Sequence, residues 1–321
     1  MARHVLPTGA GRKGGRVGTP ITASAGPSVG SMTSYALPET VDLSDGLTMP
    51  SIGLGVYTIT DGDVCQRSVE SALASGYRLI DTAVVYGNER PVGRGIAASG
   101  VPRGDIFVTT KMWLSDYGYE AAVASIDASL ERLGLDYVDL MLLHQPYPDW
   151  SGAWRAMEEA VDAGKIRSVG VSNFEIADID ALLAVARIAP VVNQIEMHPF
   201  YQRPELVAHL RDKGIAIESW APLGHGRQQL LSEPVLAELA AKHGRTVHQV
   251  LLRWHLQQGF IVIPKSTNPA HIAANLDVHD FALDDEDMAR VAGLDTGRPN
   301  RRMPRWLQRA MFPRFRARQL P

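Results

Sequence analysis

Eight short apolar runs alternate with helix-patterned stretches, each run ends on a polar or aromatic residue, and no glycine-rich phosphate turn follows the first. Together these predict an α/β protein, a (β/α)8 TIM barrel built as one domain with an N-terminal β-hairpin cap. Strand patterns fall at 53–57, 77–83, 106–112, 138–144, 166–172, 191–197, 215–220 and 260–264. Helical spacing fills 62–75, 89–99, 119–133, 151–163, 176–187, 204–213, 234–257 and 269–276. Strict alternation over short connections argues for a parallel sheet. The rival is a doubly wound sheet. It would place its phosphate-binding glycines after the first strand, and Gly53-Leu-Gly55-Val-Tyr57 does not supply them.

Taken in order, residues 1–34 are rich in Gly, Ser, Thr, Pro and Ala without periodicity, and a disordered extension is expected. Gly9-Ala-Gly11-Arg-Lys-Gly14 matches GxGxxG formally, but lacks the strand before it and the helix after it. The segment has no apolar core of secretory type; Met32 as a start and a transit peptide are the alternatives. The barrel is assigned to 35–297, opening with a hairpin over 39–52, Thr40-Val-Asp-Leu43 and Met49-Pro-Ser-Ile52 about a Ser-Asp-Gly turn. Gly87 and Asn88 punctuate the second βα connection, with Asn88 typed to cap the following helix. Residues 298–321 form a basic tail with a short amphipathic helix before Pro313. A solvated tail, a flap over the barrel mouth and an anionic-surface contact are all open for it.

Composition narrows the function classes. The 321 residues are 45% hydrophobic with mean hydropathy −0.08, and no apolar run reaches membrane-span length. The net charge of −3 conceals four basic residues in 1–34 and eight arginines in 298–321, with no acid in either end. Setting those twelve aside leaves twenty basic residues against thirty-five acids, about −15 on the body, which does not suit nucleic acid. The single cysteine, Cys65, excludes an internal disulfide, fits a reducing cytoplasm, and reads as filler on a helix face. With nucleic acid and a membrane span set aside, a monomer acting on a small molecule is expected.

Function collects at the C-terminal ends of barrel strands. Those ends carry Tyr57; Asp81 and Tyr86; Lys111 and Trp113; His144; Ser172 and Asn173; Gln194; Trp220; Lys265 and Ser266. No metal-ligand set appears, and Glu196, His198 and His209 lack zinc spacing. Asp81 interrupts an apolar strand, and a buried carboxylate demands a cationic partner. Lys111, ending the next strand, is the candidate. Hydride addition to a carbonyl leaves an oxyanion that a positioned acid must protonate. Free tyrosine, at about 10, is a weak acid, and an adjacent ammonium should lower it. Lys111 supplies that charge to Tyr86, Asp81 pairs with Lys111, and His144 orients the carbonyl. Singly, Tyr86 reads as a rim aromatic, Lys111 as a solvated side chain and His144 as a satisfied core histidine. Three consecutive strand ends make coincidence a poor account.

Seven segments then carry a resemblance: Asp81-Thr-Ala-Val-Val-Tyr86-Gly-Asn-Glu, Thr110-Lys111-Met-Trp113, Leu143-His144-Gln-Pro, Gly170-Val-Ser-Asn173-Phe, Asn193-Gln194-Ile-Glu-Met-His198-Pro, Glu218-Ser-Trp220-Ala-Pro-Leu and Ile263-Pro-Lys265-Ser266. Over about residues 37–297 the chain resembles the aldo-keto reductase family, most of all its 2,5-diketo-D-gluconate reductase-like branch. The resemblance implies a catalytic set of Asp81, Tyr86, Lys111 and His144 and an extended nicotinamide cofactor, NADP(H) preferred and NAD(H) tolerated. It implies further that Ser172, Asn173 and Gln194 hold the carboxamide and that Trp220 stacks on the nicotinamide. Leu223 and Gly224 would meet the pyrophosphate, and Lys265, Ser266, Thr267, His271 and Asn275 the adenosine phosphate. Tyr57, Trp113 and His144 would line the substrate pocket. Three positions depart from the family: Gln145, where Trp is common; His271, where Arg often grips a 2′-phosphate; and the arginine-rich tail. A redox-sensing barrel with little turnover is the second class compatible with the same residues.

Overall fold

The computed structural model describes residues 39–147, 149–226, 228–300, 303–315 and 319–320. The extension expected over 1–34 lies outside them. Two hairpin strands, β1 (Thr40–Asp42) and β2 (Thr48–Pro50), pair antiparallel. Eight parallel strands follow: β3 (Leu54–Gly55), β4 (Leu79–Asp81), β5 (Phe107–Met112), β6 (Val138–Leu143), β7 (Ile166–Ser172), β8 (Val192–Glu196), β9 (Ala216–Trp220) and β10 (Ile261–Val262). Each pairs with its sequence neighbour. The ring closes from β10 to the start of β3, where Val262 N–H donates to Ser51 O at 2.9 Å and Gly53 N–H to Val262 O at 2.8 Å. The expected (β/α)8 barrel is therefore the fold.

Strand periodicity explains how one barrel holds both a plug and a site. Alternate residues face inward. At the lower end the inward set is apolar: Leu79, Phe107, Leu140, Leu142, Val192 and Ile261 pack with Leu43 and Met49 of the hairpin. The hairpin thus stoppers the barrel from below. Continuing by twos toward the C-terminal ends, the same inward face becomes Asp81 above Leu79, Lys111 above Phe107, His144 above Leu142, Gln194 above Val192, and Glu218 and Trp220 above Ala216. The opposite parity, including Ile80, Val108, Met141, Leu143, Val169, Ile195 and Ile217, lies in the larger cluster shared with the surrounding helices.

Several boundaries move. β3, β4 and β10 are shorter than expected because few of their residues share a full ladder, although Val56 N–H still reaches Asp81 O at 3.2 Å. The helix expected over 234–257 is two, Pro234–His243 and Val247–Gln257. Gly244, at φ +61°, ends the first; Thr246 and Gln249 form a reciprocal capping box on the second. Asn88 does not cap helix Glu89–Ala98. Its side chain instead accepts from Thr82 Oγ1 at 2.8 Å and donates to Val56 O at 3.0 Å, bracing the loop after β4 and tying it to the loop after β3. Cys65 is core, and burial raises its thiol to about 12. Among the described residues no helix is long and apolar enough to cross a membrane.

Helix packing leaves Gly93 no room to change. A Cβ on Gly93 would sit 2.0 Å from the carbonyl oxygen of Leu133, at the end of the neighbouring helix Tyr119–Leu133. Gly93→Ala should lower stability by about 1–3 kcal/mol through overpacking. Gly104→Ala, with nothing within 4 Å, should stay within about 0.5 kcal/mol of the parent. Urea midpoints measured at unchanged m-value check the contrast.

Candidate active site

At the top of the barrel, Lys111 is wholly buried and its ammonium has three protons to place. It donates to Asp81 Oδ1 at 2.6 Å, to Thr82 O at 2.8 Å and to the Tyr86 hydroxyl at 3.4 Å. Burial alone would lower the pKa of the lysine. Asp81 and Tyr86 beside it more than reverse that and raise its pKa, so it stays charged. Asp81 is pushed up by burial and pulled back by Lys111 and by Gln194, whose Nε2 donates to Oδ2 at 2.8 Å. The ion pair expected from the broken strand pattern is present, and the phenol lies against it.

Tyr86 arrives from a one-turn 3-10 helix, Val84–Tyr86, ended by Gly87 at φ +73°. Burial dominates its acidity and raises the phenol to about 12; Lys111 opposes this without overcoming it. The sequence expectation that the lysine would make the phenol more acidic than free tyrosine is therefore corrected. The cause is desolvation, which penalises tyrosinate more than one ammonium at 3.4 Å repays.

His144 closes the group, its ring 5.7 Å from that of Tyr86 and 5.0 Å from that of Trp113, both edge to face. Burial, then Lys111, holds its pKa well below 6.5, so the imidazole is neutral. Its Nδ1 is buried and has no hydrogen-bond partner among the described residues. Behind it, Asn173 donates to His144 O at 3.1 Å and to Ser172 Oγ at 3.0 Å, and its Oδ1 accepts from Trp220 Nε1 at 2.9 Å. Ser172 Oγ donates to Gln194 O at 3.0 Å. Asn173 holds φ +63°, a conformation Asn tolerates better than most residues. Ser172, Asn173, Gln194 and Trp220 thus form one connected patch abutting the Asp81–Lys111 pair.

The remaining expected positions spread around the rim. Tyr57 is exposed and packs 4.9 Å from Tyr86. Leu223 and Gly224 lie in the loop after β9, with Gly224 at φ +65°. Lys265, Thr267 and His271 are exposed and Ser266 is half-buried, all around the start of helix Pro269–Leu276. Asn275 is buried, on the helix whose Ile272 carbonyl accepts from the buried Tyr77 hydroxyl at 3.1 Å.

The tail joins the same rim. Helix Arg305–Met311 forms where an amphipathic helix was expected. Phe312 stacks at 6.0 Å from Trp113, whose indole N–H donates to Phe315 O at 3.1 Å. The Tyr147 hydroxyl bonds Gln308, and Leu320 N–H donates to Gly87 O at 2.6 Å, directly behind Tyr86. Sequence reasoning missed Tyr147, His225 and Glu218. His225 packs against both Tyr57 and Trp220. Glu218 was signalled by the feature that exposed Asp81, a carboxylate inside an apolar strand.

A barrel whose upper end gathers a buried ion pair, a phenol and a neutral imidazole beside an amide-rich patch has the form of an oxidoreductase site working on a carbonyl. Residues 51–296 match the aldo/keto reductase family, and the chain belongs to that family. It is 46% identical over 271 residues to morphine 6-dehydrogenase of Pseudomonas putida, covering 80% of this chain and 91% of that one. It is also 46% identical over 261 residues to glyoxal reductase of Bacillus subtilis, at 81% and 94% coverage. Among solved structures, an aldo/keto reductase from Brucella melitensis superposes with TM-score 0.77 at 46% identity, covering 81% of this chain and all of that one. A Bombyx mori aldo-keto reductase in complex with NADP gives TM-score 0.79 at 37% identity, covering 84% and 97%.

The neutral imidazole sets a pH dependence. In the unfolded chain His144 gains a proton as pH falls through about 6.5; in the folded protein it stays neutral well below that. The unfolded state therefore binds the proton first, and stability declines from about pH 6.5 downward by at most about 1.4 kcal/mol per pH unit for this residue. His144→Asn should flatten that decline in urea titrations between about pH 7 and pH 5.

Proposed function

We propose that the protein is an NADP(H)-dependent reductase of aldehydes and ketones, with α-dicarbonyls and keto-sugars such as methylglyoxal or 2,5-diketo-D-gluconate as its substrate class. One observation carries the reading: a single buried ammonium touches both a carboxylate and the Tyr86 phenol. The neighbouring patch fits a nicotinamide nucleotide. Trp220 offers a half-exposed flat ring fixed through its N–H, and Asn173 and Gln194 offer amides of set orientation. When bound, the reduced nicotinamide supplies the hydride. Tyr86 gives its proton to the carbonyl oxygen as negative charge develops there, and Lys111 stabilises the tyrosinate left behind. Asp81 keeps Lys111 charged and in place. Neutral His144 donates a hydrogen bond to the carbonyl oxygen and holds it toward Tyr86.

Ser172, Asn173 and Gln194 would hold the carboxamide and Trp220 would stack on the ring, with Leu223 and Gly224 at the pyrophosphate. Lys265, Ser266, Thr267 and His271 would surround the adenosine phosphate, and Asn275, buried in helix Pro269–Leu276, would support them from within. Without a guanidinium at position 271, preference for NADPH rests on Lys265 and Ser266, and NADH is tolerated. Tyr57, Trp113 and His144 line the substrate pocket. Phe312, 6.0 Å from Trp113, would form its outer wall, and the tail that carries it would act as a flap.

Purified protein should oxidise NADPH with methylglyoxal. Tyr86→Phe should cut turnover about a hundredfold or more while NADPH still quenches tryptophan fluorescence, and more tightly than NADH. Retained turnover would reject Tyr86 as the acid. Phe312→Ala should raise KM for an aryl aldehyde without changing NADPH affinity; an unaltered KM would remove the tail from the pocket.

A further inference from the structure

We propose that Glu218 is a positioning residue: Asp81 and Glu218 take up both N–H groups of Gln194, Asp81 setting which end of the amide is presented and Glu218 fixing its plane, so that the carbonyl oxygen of Gln194 is held toward a bound nicotinamide amide. The proposal deepens the cofactor reading above and rests on it. Gln194 and Glu218 are register partners on β8 and β9, both facing into the barrel. Gln194 Nε2 lies 2.8 Å from Asp81 Oδ2 and 2.8 Å from Glu218 Oε2. A primary amide has two N–H groups and no more, so its nitrogen is fully committed. Turning the amide over would set its oxygen against the Asp81 carboxylate. Asp81 alone therefore decides which end points inward. One hydrogen bond, however, leaves the amide free to swivel about it; the second, from another strand, fixes its plane.

Fold stability gives Glu218 little reason to be there. It is fully buried, and among the described residues its Oε1 has no partner and the charges facing it are Asp81 and Lys111. Lys111 is already matched by Asp81 at 2.6 Å. Burial, then Asp81, raises the Glu218 carboxyl to about 8, so it is mainly protonated at neutral pH. It accepts from Gln194 as a neutral acid. A buried polar atom left without a partner is costly, and an apolar residue of the same length would avoid that cost. What only a carboxyl or a carboxamide supplies here is the acceptor for Gln194.

The test compares Glu218→Met, which removes the acceptor, Glu218→Asp, which withdraws it by one methylene, and Glu218→Gln, which restores an acceptor oxygen at the same reach. Tryptophan fluorescence is titrated with NADPH and, separately, with adenosine 2′,5′-bisphosphate, which lacks the nicotinamide end. Glu218→Met and Glu218→Asp should weaken NADPH about tenfold, the order of one lost hydrogen bond, and leave the bisphosphate within about twofold. Glu218→Gln should return NADPH affinity to within about threefold of the parent. Should the Met variant melt below the assay temperature, the Asp and Gln variants carry the same comparison. Equal loss of both ligands, unchanged NADPH binding in the Asp or Met variant, or no recovery in Glu218→Gln would overturn the proposal. Parent protein that binds the bisphosphate but not NADPH would overturn the cofactor reading itself.

Discussion

The upper half of the barrel depends on the buried contact between Lys111 and Asp81, made at 2.6 Å with almost no exposure of either side chain. Two charges taken out of water cost several kcal/mol each in real proteins, and their attraction offsets this only when the remaining protons and lone pairs are also satisfied. Here they are. Lys111 spends its other protons on Thr82 O and Tyr86, and Asp81 receives a further N–H from Gln194. Removing either ion would strand the other, which typically costs about 3–5 kcal/mol. The loop bearing Tyr86 is fixed with equal care. Asn88 ties its base to Thr82 and Val56, and Leu320 bonds Gly87 from outside.

That arrangement is tolerable because the barrel interior is divided. Its lower part is an apolar plug closed by the hairpin, where Leu79, Phe107, Leu140 and Met49 exclude water. Stability is drawn from that end and from the shell of helices, so the inward positions nearer the C-terminal ends can hold polar groups at a net cost. The same face of the same strands does both jobs, separated by one or two pleats.

How much of this was legible in the sequence follows from range. Asp81 and Lys111 stood out because each violates the apolar pattern of its own strand, a local signal, and barrel topology then fixed their meeting. The same signal marked Glu218, but without a cationic partner in prospect it carried no assignment. Asn88 was misread for an opposite reason. Its residue type and position suit a helix cap, yet tertiary acceptors and donors on Thr82 and Val56 outcompeted the local bond. The break at Gly244 was masked by apolar spacing that resumes in phase after Thr246. Contacts between Trp113 and Phe315, 202 residues apart, leave no periodic trace at all.

Acidity was the least legible property, because it is a balance rather than a residue. The ammonium beside Tyr86 does favour tyrosinate, but the dry surroundings that make the site useful favour phenol more, and the value settles at about 12. This does not disable the proposed acid. A phenol at that level keeps its proton at neutral pH, so the donor form is fully populated. An alkoxide forming on the substrate is a far stronger base than tyrosinate, which makes the transfer downhill once negative charge appears on oxygen. Lys111 then matters for where it sits rather than for a resting pKa. Its third proton already points at the phenol oxygen, so tyrosinate formed there meets a preorganised cation without rearrangement.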